Sequence, residues 1–123
     1  MIVCNTSPLI ALSILDKVDL IGKVYGKWVV PDKVMLESTG EAEVVALAEE
    51  VKADLLLIDD KKGRRFAELK GFKVVGVAGF ILKAKKLGLI AEIKPEFIKM
   101  MQAGIRISDS IYRESLALAE EIW

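Results

Sequence analysis

Leu55-Leu56-Leu57-Ile58-Asp59-Asp60 joins a wholly aliphatic run to a pair of acids. An unbroken run of that kind describes a strand buried on both faces, as the strands of parallel sheets are. The acids follow at its end, where open α/β sheets bind their ligands. Working outward, strand-like and helix-like segments alternate, which predicts parallel βαβ units. Ile2-Val3-Cys4 reads as the first strand and leads into Asn5-Thr6-Ser7-Pro8. Ser7 can cap a helix over Leu9 to Leu15, with Pro8 in its first turn. A short helix covers Val18 to Tyr25, and Trp28-Val29-Val30 is the second strand.

Pro31-Asp32 then opens a helix to Ser38, Gly40 breaks it, and Glu41 to Val51 is helical again. Beyond Asp60, Arg64 to Leu69 is a helix closed by Gly71, and Lys73-Val74-Val75 is the fourth strand. The rest is helical: Val77 to Leu87 ending at Gly88, Pro95 to Ala103 ending at Gly104, and a last helix from Asp109. Ser108 is its expected N-cap, and Ile111, Ser115, Leu118, Ala119 and Ile122 form its expected apolar stripe. That stripe should pack on the sheet or on a partner chain.

The chain has 123 residues, 53% of them hydrophobic, enough for one domain with a buried core over residues 1–123. No apolar run approaches the roughly 18 residues of a membrane span, and no signal peptide is expected, so the expected location is the cytoplasm. One cysteine, Cys4, cannot form an internal disulfide and sits in an apolar run, so it reads as a buried small hydrophobe. There is no histidine, which excludes histidine-based triads, general bases and zinc sites. Acidic and basic residues balance at 18 each, so any nucleic-acid contact must come from a local patch. Abundant Lys and Glu beside a single Asn and a single Gln hint at a thermophile.

Four acids are candidates for chemistry. Asp59 and Asp60 end one strand, while Glu37 and Glu41 close one helix and open the next, with only Ser38, Thr39 and Gly40 between them. At ~100° per residue, Glu41 falls within about 80° of Val44, Val45, Ala48 and Val51, whereas Glu43 and Glu50 point away. Glu37 shares a face with Val34. Crowded carboxylates repel unless a cation joins them, and an all-oxygen set suits Mg²⁺ or Mn²⁺. Such an ion activates water and clamps phosphate oxygens. Taken alone, these acids also fit ordinary first-turn residues favoured by the helix dipole. Lys61-Lys62-Gly63-Arg64-Arg65 follows directly and could hold phosphates, or could be a solvated loop paired with the aspartates.

These segments resemble the PIN-domain family, including the VapC-like toxins of toxin–antitoxin pairs. Ile2 to Ile10 is similar to its opening strand and Asp-Thr-Ser turn. Val30 to Glu37 resembles the helix of its second acid, Gly40 to Ala48 that of its third, best matched at Glu41, and Asp54 to Arg65 the segment of its fourth, at Asp59 or Asp60. Gly104 to Asp109 resembles a branch of small prokaryotic PIN-like proteins. The resemblance implies a three-layer α/β/α fold with a central, mostly parallel four-stranded sheet and a helical C-terminal part. It implies a Mg²⁺- or Mn²⁺-dependent ribonuclease, often dimeric and often restrained by an antitoxin. The ligands would be Glu37, Glu41 and Asp59 or Asp60, with Asn5 as a neutral ligand or water-positioning group. Thr6 or Ser7 would orient the acids, while Lys61, Lys62, Arg64 and Arg65 would meet the RNA.

Two departures stand out: Asn5 occupies the place of the first acid, and the family's further helices between the second and third acids are reduced to three residues. They favour a second reading, a catalytically degenerate module that binds nucleic acid or protein. A third, a phosphate-handling domain of the receiver type, needs an acid after the first strand, where this chain has Asn5.

Overall fold

The computed structural model describes residues 1–31 and 40–121, with 40–43 described by their backbone alone. Four strands form one sheet: β1 (Ile2–Cys4), β2 (Trp28–Val29), β3 (Leu55–Leu57) and β4 (Val74–Val75). Their spatial order is β2-β1-β3-β4 and every pairing is parallel, so the expected mostly parallel sheet is wholly so. β1 registers Ile2 on Leu55 and Cys4 on Leu57, so the aliphatic run is central in the sheet.

Strand alternation divides the core. Val3, Leu56 and Ile58 face one layer, where they meet Val44, Val45 and Ala48 of α3 (Gly40–Val51) and Ala67 of α4 (Lys61–Leu69). Ile2, Cys4 and Leu57 face the other layer. It comprises α1 (Thr6–Ile14), α2 (Asp19–Tyr25), α5 (Val77–Lys86), α6 (Lys94–Gln102) and α7 (Asp109–Leu118). The fold is therefore α/β/α, with the helical C-terminal part in the thicker layer. Phe80 and Phe97 lie fully buried there, each the kind of side chain whose truncation to Ala costs about 3–5 kcal/mol.

Several boundaries differ from expectation. Asn5, not Ser7, caps α1: its Oδ1 accepts from Thr6 N at 2.9 Å, and the helix starts three residues before Leu9. Asn caps as well as Ser, and Pro8 still lies in the first turn, where no intrahelical N–H is needed. α4 begins at Lys61 because the Asp60 carboxylate accepts from Gly63 N at 2.8 Å. The basic run read as a possible loop is thus the first turn of a helix. Ser108 caps α7 as expected, its Oγ accepting from Ile111 N. The stripe on α7 is rotated, however. Ser115, Leu116 and Ala119 are buried and Tyr112 packs on Phe97, while Ile111 and Leu118 are exposed. Ile122, and the predicted helix from Asp32 to Ser38 with Glu37, lie outside the described residues.

The end of α7 is tied down by one acid. Glu121 accepts from Ile93 N at 2.7 Å and Lys94 N at 3.0 Å, at the start of α6, and from Lys85 Nζ at 2.8 Å. Lys85 also donates to Ala119 O at 2.7 Å. This knot joins α5, α6 and the chain after α7, segments a linear sequence keeps far apart.

Candidate functional site

In the order β2-β1-β3-β4 the chain leaves β1 in opposite directions, so the switch point lies between the carboxyl ends of β1 and β3. Asn5 follows the first of these strands and Asp59 the third. Asn5 N donates to Leu57 O at 2.9 Å, which pins the two ends side by side. The first turn of α3, carrying Glu41, comes to the same end of the sheet through its backbone, because a helix returning over a parallel sheet starts there. The Glu41 side chain and all of Glu37 lie outside what is described.

Each aspartate has one oxygen on a backbone N–H in the first turn of a helix, but of different helices. Asp60 is engaged in capping α4. Asp59 instead turns toward the junction of β4 and α5, where its Oδ1 accepts from Val77 N at 2.9 Å. Its Oδ2 makes no hydrogen bond among the described residues. Burial of the carboxyl pushes its pKa above the ordinary carboxylate value, and the Val77 N–H and the Arg64 guanidinium, which pull the other way, do not cancel it. Cys4 lies beneath the site, its thiol pushed up to about 12, by burial first and by the Asp59 charge second. A thiol held that high carries no nucleophilic role at neutral pH.

A cavity of about 640 Å³ opens beside these groups. Ser7, Asp59, Asp60 and Arg64 form its polar end, and Leu82, Ile107, Ile111 and Leu118 line its apolar side. The exposed face of α7 therefore looks into this cavity. Arg106 and Glu114 also reach it, as does Gly76. The sequence offered a signal for Gly76, a small residue between a strand and a helix, but none for Arg106 or Glu114 as site residues.

The remaining expected residues fall as follows. Asn5 is 8% exposed, with its amide oxygen on Thr6 N, and its Nδ2 makes no hydrogen bond among the described residues. Neither the Thr6 nor the Ser7 hydroxyl bonds a carboxylate among the described residues. The Val77 N–H is the group that bonds Asp59. Arg64 is half-buried at the cavity, whereas Lys61, Lys62 and Arg65 stand exposed on the first turns of α4.

In kind, the donors at this end fit a hard divalent cation, being oxygens throughout, and Asp59 Oδ2 has no hydrogen-bond partner among the described residues. Among the described residues no three of His, Cys, Asp or Glu gather into a cluster that could hold a metal. The expected ligand Glu37 and the side chain of Glu41 lie outside the described residues. No helix among the described residues is long and apolar enough to cross a membrane.

A family model described as a PIN domain matches residues 1–39 and 37–121. The two matched segments meet where only three residues part Glu37 from Glu41. No curated protein matches the chain, and no solved structure does. The matched segments cover nearly the whole length, and the parallel four-stranded α/β/α architecture agrees with them: the chain belongs to the PIN-domain family, a family of nuclease type.

Proposed function

We propose that this protein is a divalent-metal-dependent ribonuclease of PIN type, with Asp59, Glu37 and Glu41 as the residues that hold Mg²⁺ or Mn²⁺. The supporting observation is Asp59 itself. It is a partly desolvated carboxylate at the topological switch point, with one oxygen fixed and the other without a hydrogen bond among the described residues, at the polar end of a cavity of about 640 Å³. Perturbed acids at such positions are favoured functional groups. When bound, the ion supplies an activated water and neutralises charge developing on the phosphate.

The chain's own residues set up the substrate. Arg64, at the cavity wall, offers a planar guanidinium to the phosphate beside the cleaved bond. Lys61, Lys62 and Arg65 line the approach along α4 and attract flanking phosphates, an effect that weakens as salt rises. Asn5 is a positioning residue: with its oxygen on Thr6 N, it has Nδ2 left to orient water or a phosphate oxygen. Asp60 Oδ2 caps α4 on Gly63 N, and removing that cap loosens the start of α4.

The degenerate-module reading rests on the same Asn5. Its amide oxygen is already engaged and brings no charge, so a cation would bind more weakly than to an acid there. An RNA cleavage assay in Mn²⁺ separates the two readings. Cleavage by the parent that disappears in Asp59→Asn and in Glu37→Gln supports the nuclease. RNA retention without cleavage by the parent, with cleavage gained in Asn5→Asp, makes the module the better account. Further partners under the nuclease reading are a second copy of the chain and an antitoxin protein. A sharp monomer by light scattering at high concentration contradicts the homodimer.

A further inference from the structure

We propose that Gly76 and the backbone N–H of Val77 are positioning elements that fix which Asp59 oxygen faces the metal. This inference rests on the nuclease reading above and deepens it. Gly76 precedes α5 and leaves that helix without a side-chain cap of its own. Asp59 fills the vacancy from across the sheet, accepting from the Val77 N–H at 2.9 Å. That N–H is one of the first-turn donors that no helix carbonyl can satisfy. The positive end of the α5 dipole favours the charged carboxylate there.

Glycine is what makes the approach possible. A Cβ on Gly76 would lie 2.8 Å from Asp59 Oδ1, well inside contact distance, and 3.7 Å from both Arg64 Nη1 and Ile58 O, which is ordinary contact. The backbone at Gly76 is extended, with φ −96° and ψ 177°, so alanine is allowed conformationally. Alanine at 76 therefore displaces the end of one side chain and leaves the fold alone. With Oδ1 held by Val77 and Oδ2 without a partner among the described residues, Asp59 is a single-oxygen ligand aimed by the start of α5.

The test uses the full chain, Mn²⁺ calorimetry, thermal melting and exchange of the Val77 amide proton without metal. Asp59→Asn serves as the ligand control. Gly76→Ala should weaken Mn²⁺ binding at least tenfold and speed Val77 amide exchange, with the melting temperature near the parent's. Val77→Pro, tolerated at the first helical position, removes the donor. Val77→Ala keeps it while losing the same buried packing. The inference requires Val77→Pro to lose Mn²⁺ affinity and Val77→Ala to retain it, although both melt lower. Parent-like Mn²⁺ binding by Gly76→Ala, or equal losses in the two Val77 variants, overturns the inference while leaving the nuclease reading intact. Equal binding by the parent and Asp59→Asn, or none by the parent, overturns the nuclease reading and this inference with it, even if the Val77 amide responds as expected.

Discussion

Asp59 and Glu121 are both carboxylates drawn in among other atoms, and they are treated in opposite ways. Burial alone would raise the Glu121 pKa, but the Lys85 ammonium and the N–H groups of Ile93 and Lys94 overcome it and hold the group below its ordinary value. At Asp59, burial wins over one N–H and a guanidinium that closes no direct ion pair. Glu121 is a finished structural acid, its charge matched by partners on two other segments. Asp59 is left under-compensated at the mouth of a cavity. Asp59 holds the start of α5 with one oxygen, and the nuclease reading proposed above assigns its other oxygen to the metal.

The largest effect that sharpens this contrast is on activity. Asp59→Asn should lower Mn²⁺-dependent RNA cleavage by on the order of 10³-fold, as removal of a charged group acting on the transition state does. Glu121→Ala should act on the fold instead. It strands the Lys85 ammonium and two N–H groups, which costs about 3 kcal/mol and lowers the melting temperature by roughly 10 °C, readable by thermal melting. If the two variants exchange phenotypes, the comparison is broken.

A smaller gain is expected from Asn5→Asp. Aspartate caps a helix as well as asparagine, so α1 should persist while the added charge tightens Mn²⁺ by about tenfold, measured by calorimetry. No tightening would mean that Asn5 lies outside the metal's reach.

The smallest effect is on stability against pH, and its sign differs at the two acids. Glu121 has a lowered folded-state pKa, so its contribution is present above the ordinary 4.5 and is lost as the pH falls through the folded value. Asp59 has a raised one, so its contribution is present below the ordinary 3.8 and is lost as the pH rises through the folded value. At neutral pH, Asp59→Asn should therefore be no less stable than the parent, and up to about 0.5 kcal/mol more so. Glu121→Gln should be less stable there, with the difference shrinking toward pH 3. Melting curves across that range check both signs.

What was legible in the sequence follows from how locally each feature is determined. β1 and β3 were plain because unbroken apolar runs need no context. α7 was plain because Ser108 caps it in place. The start of α4 was not, since Lys61 to Arg65 carries a glycine and crowds four like charges into one stretch of helix; the Asp60 cap decides it. The face of α7 was misplaced because Tyr112 packs on Phe97 and turns the helix, a contact between distant segments. At the site, the sequence singled out the acids as candidates but left Asp59 and Asp60 equivalent. Their difference lies in a bond from Asp59 to Val77, 18 residues on, which no local pattern encodes. The Glu121 knot spans 27 to 36 residues and left no sequence signal at all.

The most direct test of the account is a Mn²⁺ titration by calorimetry of the parent, Asp59→Asn and Glu121→Gln side by side. The expected result is binding by the parent, none by Asp59→Asn, and parent-like affinity in Glu121→Gln despite its lower melting temperature. Binding that survives in Asp59→Asn, or is lost in proportion to stability in Glu121→Gln, would contradict the assignment of Asp59 as the functional acid and Glu121 as the structural one.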